Sequence, residues 1–390
     1  MTTAAPRITR QSLPVGSGFK FDKFQQTLDE HTAIIEWYIA TDKILAFVIK
    51  PHGQELTLWQ SQPEDLVALL NWTIEYLSDY YNPTDTYKDQ WQNQLEERLQ
   101  KLAKILHFEE ILNLAQIPKD YKLILIPHRF LHLFPLHALP VGESYLLDLF
   151  PNGVSYAPSC QILQQVQLRQ RPDFKSLFAI QNPTEDLNYA DLEVESLLPL
   201  FSSHQVLPNS QATKAALSAA TPQLKEVNSL HFSCHGFFNP NSPLDSCLVL
   251  ANPYISSNEK ALDLNKCLTL GNLFERDFEL NQCRLVVLSA CETGLIDFNN
   301  SSDEYIGLPS GFLYAGSVDV VNSLWTVNDL STSFLIIKFL QNFQTALTAS
   351  QDISVASALK EAQLWLRNAT KEKLQEWADT LQLDSTWNRL

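Results

Sequence analysis

The chain has 390 residues, and 45% of them are hydrophobic, enough for two domains or one large α/β unit with a well-filled core. Its 28 Lys and Arg are outnumbered by 44 Asp and Glu, giving a net charge of −16. That balance repels phosphate backbones, so nucleic acid is not an expected partner, and the acidity serves solubility or a basic substrate.

Residues 1–20 read as a polar, mobile tail without the apolar stretch of a secretory signal. No run of about 18 uncharged apolar residues follows, so no membrane span is expected. Residues 32–51 are rich in β-branched and aromatic side chains around Thr41-Asp42-Lys43, which predicts a hairpin. Residues 64–80 and 88–106 carry apolar side chains at helical spacing, and residues 122–127 read as a buried strand.

From about residue 172 an alternation begins. Strands are predicted at 176–180, 229–234, 247–251, 283–290 and 318–325. Helices are predicted at 192–201, 212–220, 308–315 (with Pro309 in its first turn) and 330–347. Continuously apolar strands separated by helices imply a mainly parallel sheet covered on both faces.

Cys160, Cys234, Cys247, Cys267, Cys283 and Cys291 include no C-x-x-C pair, so no zinc knuckle or redox motif is expected. Reduced thiols in a cytoplasmic setting fit better than a disulfide framework. There is no G-x-S-x-G, since Gly307-Leu308-Pro309-Ser310-Gly311 has the wrong spacing, and neither nucleotide-binding glycine motif occurs. No cofactor is expected.

Two predicted strands end alike: 229–234 runs into His235-Gly236, and 283–290 runs into Cys291-Glu292-Thr293-Gly294. Sites in open α/β sheets form at the carboxyl edge. If these strands are parallel neighbours, an imidazole and a thiol emerge side by side there. A free thiol is mostly protonated at neutral pH, and an imidazole activates it by accepting its proton. Gly236 and Cys291 would then supply the oxyanion amides. The competing reading of a lone cysteine is a small buried hydrophobe.

At these residues the sequence resembles the CHAT family of caspase- and separase-like cysteine peptidases (clan CD). The matching blocks are LILIPHRFLHLFPLHALP (123–140), SLHFSCHGFF (229–238), RLVVLSACETG (284–294) and YIGLPSGFLYAGSVDVVNSLWTVND (305–329). The resemblance implies a caspase-like fold, with residues 172–390 as the catalytic domain and residues 21–165 as an inactive protease-like half. It places the catalytic histidine on His235 and the nucleophile on Cys291. The implied activity is endopeptidase cleavage of protein substrates; the alternative is a non-catalytic interaction or scaffold module. A regulatory protein partner is also expected.

The resemblance further implies an S1 pocket for a P1 arginine, with Asp329 as its acid through a charge-assisted bidentate bond. Asp329 could equally be the N-cap of the helix that follows. Asp303 and Glu304 are further S1 candidates, although loop acids are more often solvated.

Several neighbours have plainer readings. Cys234 points to the face opposite His235 and packs in the core. His231 is a satisfied core histidine. Glu292 either orients substrate or, the favoured reading, suits the N-terminus of a following helix. Lys260 is a solvated loop residue rather than a self-cleavage point. His128, His132 and His137 cluster without an H-E-x-x-H pattern, so no metal is expected.

Overall fold

In the computed structural model of the protein, the described residues are 19–81, 91–256, 259–275, 277–296, 305–351 and 353–381. They form two five-stranded sheets. The first holds β1 (Thr32–Ile39), β2 (Ile44–Ile49), β3 (Thr57–Gln60), β4 (Lys122–Ile126) and β5 (Val154–Tyr156) in the order β3-β2-β1-β4-β5. The expected hairpin is β1–β2, closed where the Ala40 N–H donates to Lys43 O at 2.9 Å. β4 lies parallel to β1, and β5 parallel to β4.

Strand alternation decides which helices cover this sheet. Ile34, Ile124 and Ile126 face α1 (Phe21–Thr27), through Phe24. Ala33, Ile35 and Trp37 face α2 (Pro63–Tyr80), α3 (Leu95–Ile105) and α4 (Phe108–Ala115). α5 (Cys160–Gln167) lies with α1 on the first face, through Cys160.

The second sheet holds β6 (Ser176–Gln181), β7 (Ser203–Pro208), β8 (Ser229–Ser233), β9 (Leu285–Ser289) and β10 (Asp319–Val321), ordered β10-β9-β8-β6-β7. Every pair in it is parallel. Leu177, Ala179, Leu285 and Val287 pack on α6 (Ala190–Leu197) and on a C-terminal helix, through Val194, Ile337, Phe339 and Phe343. Phe178, Leu230, Phe232, Val286 and Leu288 pack on the other side against Leu217 of α7 (Lys214–Ala219) and Phe312 of α8 (Leu308–Ala315). The C-terminal helix is α9 (Asp329–Thr348), followed by α10 (Val355–Asn368) and α11 (Lys371–Asp379). The mixed α/β fold with a mainly parallel sheet between helices is thus the observed one.

Two predicted strands are shorter than expected. Of 247–251, only Cys247–Leu248 is extended, and it pairs antiparallel with Gly236–Phe237 and Leu268–Thr269 in a small separate sheet. Of 318–325, only Asp319–Val321 is strand, because Ser323 turns away to bond Ala290 O at 2.6 Å and to accept the Gly294 N–H at 2.7 Å. The helix predicted over 192–201 ends at Leu197, where Pro199 tightens the chain into a 3-10 turn.

The two sheets are fused. Phe238, Leu295 and Ile296 from the second bury themselves in the core of the first. Buried Lys360 donates to Phe150 O at 2.9 Å, and Arg367 makes a bidentate pair with Asp148 at 3.1 Å. Among the described residues, no helix is long and apolar enough to cross a membrane. Most of the expected tail, residues 1–18, lies outside the described residues.

Candidate active site

β8 and β9 are parallel neighbours, with Ser233 opposite Ser289. His235 and Cys291 each follow two residues later. The Cys234 N–H donates to Ser289 O at 3.4 Å, so contact continues past the strand ends. At Gly236 a Cβ would run into the Cys291 carbonyl oxygen and lie 2.9 Å from Thr293 Cγ2. Only glycine allows that approach. The structure therefore brings the His235-Gly236 and Cys291 segments together at the carboxyl edge.

The Val249 N–H donates to His235 O at 2.9 Å, which makes Gly236 and Leu248 a non-hydrogen-bonded antiparallel pair. Gly236 consequently turns its own N–H away from that ladder.

Asp186, absent from the sequence-based candidates, completes the imidazole's surroundings. Its Oδ1 lies 2.9 Å from His235 Nε2. Burial pushes the Asp186 carboxyl up, but hydrogen bonds from Thr184 and His235 outweigh it and hold it below the ordinary value. The residue is delivered by β6, since Gln181 stands opposite Ser233 and the Asn182 N–H donates to Ser233 O at 2.9 Å. An acid just beyond a third strand end was the available signal.

Cys291 sits on a turn, half-buried, and is the only one of the six cysteines that is not fully buried. Its Sγ lies 4.0 Å from Val327 O. Among the described residues it shares no hydrogen bond with the His235 ring. Burial pushes the thiol up, a backbone hydrogen bond at Val327 offsets part of this, and the Glu292 and Asp329 carboxylates raise it further. The resting group is therefore a protonated thiol, which needs a base to become a nucleophile.

Glu292 differs from expectation. Residues 291–294 form a turn rather than the start of a helix, and Glu292 has a left-handed φ of +56°. For a non-glycine residue that costs on the order of 1–3 kcal/mol and needs support from its surroundings. Gly294 packs so closely that a Cβ there would collide with Asn322 Oδ1, locking the turn to the 322–327 segment.

Asp329 does not cap its helix. Asn328 does, accepting the Ser331 N–H at 3.1 Å, because its side chain precedes the first turn. Asp329 instead accepts the Tyr189 N–H at 2.9 Å. Burial pushes its carboxyl up, backbone bonds from Tyr189 and Asn188 pull it back, and His235 is close enough to lower it slightly. Asp329 is thus near both His235 and Cys291. Asp303 and Glu304 lie outside the described residues.

Cys234 is buried in the core on the opposite face, and burial pushes its thiol up. His231 is fully buried, with Nε2 2.7 Å from Glu193 Oε1, and Ser289 Oγ donates to the other Glu193 oxygen at 2.9 Å. The backbone at Lys260 is a strand of a small hairpin rather than a loop. His128 accepts the Ile39 N–H at 3.0 Å, His132 packs on Tyr305, and His137 lies 2.8 Å from the Tyr156 hydroxyl. Each of the three is thus occupied within the protein, and among the described residues no three potential ligands gather as a metal site.

A family model described as the CHAT domain matches residues 96–383. No curated protein matches the chain. Among solved structures, the chain is similar to the Arg-specific cysteine proteinase gingipain R, at 9% identity and a TM-score of 0.44, over 73% of this chain and 65% of that one. It is likewise similar to the complex of the Porphyromonas gingivalis RgpB pro- and mature domains, at 8% identity and a TM-score of 0.41, over 73% and 66%. The chain spans slightly less than two-thirds of the length of either protein.

Proposed function

Since the chain belongs to the CHAT-domain family, we propose that it is a cysteine endopeptidase cutting protein substrates after a basic residue, arginine above all. The observation that carries this is the parallel register setting His235 and Cys291 beyond adjacent strand ends, with Gly236 against the Cys291 carbonyl. Residues 172–390 would be the catalytic domain, and residues 21–165 an inactive protease-like half. What supports the latter is that β1, β4 and β5 of the first sheet are parallel, while the cysteine that follows β5, Cys160, is buried with its Sγ 3.4 Å from Glu36 Oε2.

In this mechanism the Cys291 thiol gives its proton to His235, which Asp186 orients. The sulfur forms a bond to the scissile carbonyl carbon, and the displaced electron pair rests on oxygen, held by the Gly236 and Cys291 N–H groups. As the carbonyl reforms, the C–N bond breaks and the imidazolium protonates the leaving amine. Water, deprotonated by His235, then attacks the thioester. The C–S bond breaks, and the sulfur regains its proton. Asp329, near both groups, is the acid for a P1 guanidinium. Six unpaired thiols fit a reducing compartment such as the cytoplasm, and a regulatory protein partner is part of the proposal.

A second reading is favoured by the resting geometry. With Sγ turned to Val327 and the thiol raised, the chain could act as a non-catalytic docking module. Hydrolysis of arginine-ended fluorogenic peptides by the purified full chain separates the two. The peptidase predicts cleavage abolished by Cys291→Ala and by His235→Ala. Cleavage surviving either change overturns it, and preference for P1 aspartate removes only the role of Asp329.

A further inference from the structure

Tyr80, the last residue of α2, reaches from the first sheet's layer into the second sheet's site. Its hydroxyl donates to Glu292 Oε1 at 2.6 Å and accepts the Thr326 N–H at 3.0 Å, with Thr326 Oγ1 at 3.3 Å. One oxygen therefore joins the residue after Cys291 to the residue before Val327. These are the two segments that define the surroundings of the thiol, and the second continues into Asp329.

The phenol is well held. Its ring lies 5.0 Å from Trp91 and 4.9 Å from Tyr81, and Trp91 in turn packs 5.9 Å from Trp325. The Glu292 N–H donates to Trp325 O at 3.4 Å. Glu292 keeps its left-handed backbone between these anchors. Its carboxylate also bears on the thiol, being among the groups that raise Cys291. A hydrogen bond to a charged group is stronger than a neutral one, so the Tyr80 contact can fix both the turn and the direction of that charge.

We propose that Tyr80 is a positioning residue of the Cys291 site, fixing the nucleophile turn against the Asp329 segment so that the N-terminal part of the chain sets the competence of the thiol. This rests on the peptidase reading, but it concerns the thiol itself and is measurable without substrate.

The test is Tyr80→Phe in the full chain, which keeps the ring and removes only the hydroxyl. The other five cysteines are buried, so native alkylation by iodoacetamide reports on Cys291. Released from Tyr80, the Glu292 carboxylate turns toward solvent, and the midpoint of the alkylation pH profile falls. Glu292→Gln produces a similar fall, and the double variant falls no further. The value of kcat/KM for an arginyl peptide drops about tenfold in Tyr80→Phe. A wild-type alkylation profile in Tyr80→Phe overturns the proposal, as do shifts from the two changes that simply add. Absence of peptide hydrolysis by the wild type sinks the peptidase reading alone, and the alkylation profile still decides the role of Tyr80.

Discussion

Ser233 and Ser289 stand opposite each other in parallel strands, and two residues beyond each lie His235 and Cys291. Parallel strands keep register, so an equal count past paired residues brings both segments to the same edge of the sheet. Gly236 sets how closely the two segments approach, because its missing side chain is what leaves room for the Cys291 carbonyl.

Gly236→Ala is therefore expected to disable the site without unfolding the protein. The new methyl meets backbone, which cannot rotate aside, and overpacking of this kind costs about 1–3 kcal/mol. Displacing the nucleophile by roughly 1 Å lowers peptide hydrolysis about a hundredfold. Thermal unfolding together with arginyl-peptide kinetics checks both effects.

Asp186→Asn should weaken catalysis modestly. The His235–Asp186 pair is 41% and 58% exposed, so water screens it and the interaction is worth at most about 1 kcal/mol. A fall in kcat of about fivefold follows. Steady-state kinetics showing no change would remove Asp186 as the group that orients the imidazole.

Asp329→Asn should erase selectivity for P1 arginine. A charged hydrogen bond contributes about 1.5–3 kcal/mol, so kcat/KM for arginyl over glutaminyl peptides falls about 10- to 100-fold. The sign with pH follows from burial, which raises this carboxyl above its ordinary 3.8. It is ionised above its pKa, so KM for arginyl substrates climbs as pH falls toward that value. The climb begins at a higher pH than for an unperturbed aspartate. KM measured against pH should rise on the acid side in the wild type and stay flat in the variant.

His231 and Glu193 bear on stability rather than chemistry. Both are buried at 2.7 Å, and removing one partner leaves a buried polar atom of the other unsatisfied, at a cost of about 1–3 kcal/mol. Denaturant unfolding of His231→Leu should show that loss. His231→Leu combined with Glu193→Leu should recover much of it, since neither member of the pair is then left facing an apolar side chain.

The adjacency of the His235 and Cys291 segments was legible in the sequence because strand ends are marked by the switch from Leu-His-Phe or Leu-Val-Val-Leu to His-Gly and Cys-Glu. Asp186 was not, since an acid shortly after a strand end is a weak signal by itself, and only the β6–β8 register shows that it returns to His235. The Glu193–Ser289 contact was hidden likewise, with partners far apart in sequence. The bond of Asp329 to Tyr189 was hidden too, because capping rules look along one helix and this contact crosses to another. Glu292 was placed at a helix start because an acid favours the positive end of a helix; the chain turns left-handed instead, held by partners from outside the local sequence.

The most direct test of the peptidase account is covalent labelling of the full chain with an arginine-ended peptide acyloxymethyl ketone, followed by mass-spectrometric mapping of the adduct. The account predicts a single adduct on Cys291, formed more slowly by the aspartate-ended reagent and lost in His235→Ala. An unmodified Cys291, an adduct on another cysteine, or equal labelling in His235→Ala would contradict it.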